Sequence, residues 1–75
     1  MTDAERRLRT DGWISVQPDM FDAQRQSHWV KGDLELVLEK GVYFLMESKR
    51  VISESEDVRL IIEKSHEVKV TAKGR

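Results

Sequence analysis

Two glycine-containing breaks, Gly32-Asp33 and Lys40-Gly41, separate three runs of strand length and strand composition, and they constrain the fold more than any other feature of the chain. A two-residue hairpin loop fixes pairing, because partners are counted outward from it. From the first loop, Lys31 faces Leu34, Val30 faces Glu35, Trp29 faces Leu36, His28 faces Val37 and Ser27 faces Leu38. From the second, Glu39 faces Val42, Leu38 faces Tyr43, Val37 faces Phe44, Leu36 faces Leu45 and Glu35 faces Met46. Directly opposed residues share a sheet face. One face therefore gathers Trp29, Leu34, Leu36, Leu38, Tyr43 and Leu45, and it is the expected core. The other holds His28, Val30, Glu35, Val37, Glu39, Val42, Phe44 and Met46. That face is too apolar to be left to water and too charged for a second full core, so the N-terminal helix or another subunit is expected to cover part of it.

Ahead of these strands, Thr2 and Glu5 have the spacing of a capping box, which predicts a helix from about residue 3 to 10 closed by Gly12. Trp13-Ile14-Ser15-Val16 is aromatic and β-branched and reads as a short strand stopped by Pro18. Residues 17 to 27 form a long polar connection with Met20 and Phe21 in its middle. Two readings apply to that pair. Either they fold back to cap an open edge of the core, or they protrude as an apolar plug for a partner's pocket.

The end of the chain also admits two readings. Residues 48 to 57 are a polar connection with a short strand or strand extension at their centre. Beyond it, a hairpin turning at Lys64-Ser65-His66 puts Val58, Leu60, Ile62, Val68, Val70 and Ala72 on one side, and the β-branched residues favour it. The alternative is a helix over residues 54–65, capped by Ser53 with Glu56, whose apolar face is Val58, Ile61 and Ile62. The hairpin is the expectation. The fold class is then α+β and mainly antiparallel β, a short N-terminal helix followed by a five- to six-strand meander sheet or small barrel. The helical alternative gives a sheet with two helices.

Composition limits what such a domain can do. With 75 residues the chain has room for one core, since a domain of this size buries only ~60% of the surface its unfolded form exposes. It has no Cys, so disulfides, thiolate zinc sites and Cys nucleophiles are excluded. Stabilisation must come from burial or self-association, and a homodimer is favoured over a monomer. The 13 Lys and Arg against 14 Asp and Glu give a net charge of −1, which supplies no global field toward nucleic acid or anionic lipid. The N-terminus lacks a signal-peptide apolar stretch, and the longest apolar run, Val42 to Met46, is far short of the ~20 residues a spanning helix needs. A cytoplasmic protein with no membrane association is expected.

Chemistry-bearing patterns are sparse. His28 and His66 are the only imidazoles, at no metal-ligand spacing, and both read as ordinary sheet and turn residues. Glu35 and Glu39 read as solvated charge on one sheet face. No phosphate loop is present, and no catalytic residue, cofactor or metal is expected. The basic residues Arg6 and Arg9 on the helix, with Lys49 and Arg50 and a ring from Trp13 or Tyr43, could form a phosphate-and-stacking surface for nucleic acid. Interleaved carboxylates oppose that reading. The preferred expectation is a non-catalytic module, of the kind found among small bacterial or phage accessory proteins, that binds another protein and modulates it. Its binding surface is expected at Met20 and Phe21 of the 17–27 loop and at Phe44 and Met46 of the second sheet face.

Overall fold

The computed structural model describes residues 2–16 and 25–73, with backbone alone at 25, 26 and 69–73. The order of elements is α1 (Asp3–Thr10), β1 (Ile14–Val16), β2 (Arg25–Lys31), β3 (Leu34–Glu39), β4 (Val42–Glu47), β5 (Arg50–Ser55) and α2 (Val58–Lys73). Met20 and Phe21 lie outside the described residues.

Helix α1 begins and ends as its sequence dictates. Thr2 Oγ1 accepts the Glu5 N–H at 3.1 Å and Glu5 Oε1 accepts the Thr2 N–H at 3.1 Å, so two backbone donors are satisfied reciprocally. At the far end Gly12 takes φ +97°. Its N–H donates to Arg9 C=O at 3.0 Å, and Trp13 N–H donates to Leu8 C=O at 2.9 Å. This is the Schellman arrangement, and its usual apolar contact is supplied by Leu8 and Trp13, both members of the core.

The five strands form one antiparallel sheet in the order β1-β2-β3-β4-β5, an open meander rather than a barrel. Both central hairpins adopt the registers counted from their loops, with Trp29, Leu36 and Leu45 in one row. The turns explain why. Gly32 has φ +59°, as the first central position of a type II′ turn requires, and Lys40 and Gly41 have φ +51° and +80°, the type I′ pattern. A third hairpin joins β4 to β5 through Ser48 and Lys49 at φ +51° and +65°. It is also a two-residue turn with both central residues left-handed, but no glycine marks it.

The C-terminal hairpin expected for residues 58 to 72 does not form. The segment is a helix, as in the alternative reading, but begins at Val58 after β5 has taken residues 50 to 55. Its cap is accordingly Asp57, not Ser53: Asp57 Oδ1 accepts Arg59 N–H at 2.9 Å. The stripe turned to the core consists of buried Val58, Ile61 and Ser65 with half-buried Ile62 and Val68, at helical spacing. Ser65, 1% exposed, sits in that stripe with its hydroxyl donating to Ile62 C=O at 2.6 Å. Leu60, which the hairpin pattern placed inside, is 56% exposed.

The core joins both helices to one sheet face: Leu8 from α1, Trp13, the sheet residues Trp29, Leu34, Leu36, Tyr43 and Leu45, and Val58 and Ile61 from α2. Arg9 lies with its guanidinium 5.3 Å from the centroid of the Trp29 ring, a cation–π contact on the same side. Of the two covers expected for the second face, the N-terminal helix or another subunit, the helix is therefore not one. Leu8 is the buried residue of α1, and it belongs to the core cluster that holds Trp29 and Leu36 and does not hold Phe44. No helix among the described residues is long and apolar enough to cross a membrane.

Candidate interaction surfaces

The second sheet face is built by alternation. Residues whose neighbours in sequence fill the core must point the other way, so Val16, His28, Val37, Phe44 and Glu54 form one row across all five strands. Ile14, Val30, Glu35, Met46 and Val51 form a second row. Val37, at the centre, is 2% exposed, Phe44 and Met46 are half-buried, and the flanks are open, with Ile14 65% and Val51 54% exposed. Phe44 and Met46 thus stand where the sequence placed them, on a largely apolar face against which neither helix lies.

His28 meets a carboxylate on this face: Nε2 is 3.0 Å from Glu35 Oε2, across a diagonal between β2 and β3. The pair spans the apolar surface between Val30 and Val37. Among the described residues no group of three or more His, Asp or Glu is placed to hold a metal ion.

The basic residues do not converge. Arg6 lines a groove of about 580 Å³ between α1 and α2 together with Arg7 and Arg59, and of these Arg7 is paired with Asp3 at 2.8 Å and Arg59 with Asp57 at 3.3 Å. Arg9 is turned onto Trp29, and Lys49 and Arg50 lie at the β4–β5 turn. The rings proposed for stacking are in the core, Trp13 at 2% and Tyr43 at 8% exposure. Burial, and after it the charge of Glu5, raise the pKa of Tyr43 above the ordinary phenol value.

The residue that sequence reasoning missed is Asp11, the C-cap of α1. Its Oδ2 accepts the Trp13 indole N–H at 3.0 Å and Lys31 Nζ at 3.1 Å, and its Oδ1 accepts His66 Nε2–H at 2.7 Å. One carboxylate therefore ties α1 to β2 and to α2. Burial acts to raise its pKa, and the hydrogen bonds from His66, Lys31 and Trp13 outweigh that, holding it below the ordinary value.

Another groove, of about 300 Å³, runs between β5 and α2. It is lined by Ser53, Glu54 and Ser55 on the strand and by Leu60, Glu63, Lys64 and Glu67 on the helix. Comparison with protein-family models, with curated proteins and with solved structures finds no match for this chain.

Proposed function

We propose that the protein is a non-catalytic interaction module that binds another protein through the open face of its sheet and modulates that partner. The supporting observation is the one-sidedness of the fold: α1 and α2 both bury their apolar stripes on the Trp29–Leu36–Leu45 face, while Val30, Val37, Phe44, Met46 and Val51 line the other. An apolar patch rimmed by His28, Glu35 and Glu54 has the make-up of an interface core with a polar rim.

The test is affinity capture of the tagged chain from a lysate of its own source, with nuclease and stepped salt, beside the Phe44→Glu with Met46→Glu pair. The expected result is a protein that survives nuclease and high salt on the wild type and is lost from the pair, with circular dichroism unchanged. Nucleic acid released at modest salt, and abolished by charge reversal at Lys49 and Arg50, overturns the proposal. So does a sedimentation mass that halves in the pair while captured proteins are unaltered, because the face then closes on a second copy.

A further inference from the structure

Resting on the reading of the open sheet face as a docking surface, we infer that its His28–Glu35 pair makes that docking pH-dependent, so that an apolar partner is held more tightly once the imidazole is protonated.

Alternation places the pair. His28 and Val30 on β2 and Glu35 and Val37 on β3 turn to the same side of the sheet, and one diagonal between the strands brings His28 Nε2 to 3.0 Å from Glu35 Oε2. The imidazole side chain is 16% exposed and the carboxylate 39%, so the pair keeps part of its hydration, and a docked surface removes that remainder. On β3 the other diagonal carries Glu39, which stands opposite Arg25 in the register. On β1 the neighbours are Ile14 and Val16, on β4 they are Phe44 and Met46, and Glu54 on β5 is three strands away in the same row. The carboxylate within hydrogen-bond reach of the imidazole is that of Glu35. His66, the chain's other imidazole, meets Asp11 and not this face.

Charge balance sets the sign. While the imidazole is neutral, the pair has the net charge of its carboxylate, and an apolar surface laid over it must desolvate a charge met by a single neutral N–H donor. Once the imidazole is protonated, the same two side chains carry no net charge and share a charge-assisted hydrogen bond. Covering an uncompensated charge is costlier than covering a matched, hydrogen-bonded pair. Docking over this pair therefore takes up a proton, and by linkage it tightens as pH falls through the imidazole range, which for an ordinary histidine centres on about 6.5.

The probe is a phenyl-agarose surface, which carries no charge of its own, and the isocratic retention of the full chain is measured at about pH 5.5 and about pH 7.5, on either side of the imidazole range. Expected is a retention factor about threefold greater at the lower pH. The rise should disappear in Glu35→Gln, where the protonated ring is covered without its carboxylate, and in His28→Gln, where no imidazole stands on the diagonal. Phe44→Glu with Met46→Glu should lose retention at both pH values. Ile14→Ser with Val51→Ser should lower it at both as well, and these two exposed side chains lie outside the core. Wild-type retention that is flat or falls with acid, or a rise of equal size in Glu35→Gln or His28→Gln, would overturn the pH dependence and leave the open face standing as a docking surface. Retention unchanged in both face variants would overturn the reading of that face, and the pH dependence with it.

Discussion

At the scale of single residues, the stability of the domain depends on an acceptor that sequence patterns do not reveal. Asp11 satisfies donors two, 20 and 55 residues away along the chain. A capping box is legible because its partners are three residues apart, and Thr2 with Glu5 was readable for that reason. A carboxylate whose partners are set by tertiary approach is not. Asp11→Ala leaves the indole N–H and Lys31 without their acceptor and should cost about 1–3 kcal/mol in urea denaturation. The pH dependence has a definite sign. The folded-state pKa of Asp11 is lowered, so the folded protein binds fewer protons than the unfolded chain in the acid range. Its stabilisation is present above the unfolded carboxylate value of about 3.9 and is lost as pH falls through the lower folded value. The urea midpoint of Asp11→Asn should therefore fall less steeply than that of the wild type between pH 6 and pH 3. A parallel fall would show that Asp11 does not carry the effect.

At the scale of elements, the strands were legible where turn chemistry spoke and the last segment was not. Gly32 and Gly41 permit the positive φ that two-residue hairpins need, so the registers of β2, β3 and β4 could be counted. Ser48 and Lys49 adopt the same left-handed pair without glycine, a conformation costly for L-residues, so the sequence marks β5 only as a short strand within a connection. In α2 the period was hidden by composition. Ser65 breaks the apolar stripe, and Val58, Ile61, Ile62 and Val68 are β-branched, which lowers helix propensity until burial outweighs it. A pair of substitutions separates the two phases. Leu60→Ser should change stability by no more than about 0.5 kcal/mol because that side chain is 56% exposed. Ile61→Ala, at a position with no exposure, should cost about 2–5 kcal/mol. In a hairpin the order would be reversed, and chemical denaturation reads it directly.

At the scale of the whole molecule, the layers are unequal. The face bearing Trp29, Leu36 and Leu45 is roofed by two helices, and among the described residues no element lies over the face bearing Val37 and Phe44. The partition of side chains between those faces was legible from two loops, whereas the side on which α1 settles was not, since nothing local to residues 3 to 10 distinguishes one face of a sheet from the other. Native-state hydrogen exchange should follow this asymmetry. The amides of Leu36 and Leu45, in central strands beneath the helices, should exchange only on global unfolding, and those of β1 and the outer amide of β5 much faster. Uniform exchange across the sheet would contradict the layering. The same arrangement has a temporal side. A chain made from its N-terminus presents α1 and all five strands before α2 exists, because α2 is the last element in the sequence. During synthesis the sheet can pair, neighbour to neighbour, while half its roof is still missing. In that interval the nascent sheet shows the cell both of its greasy sides, and the arrival of α2 withdraws only the one that bears Leu36 and Leu45.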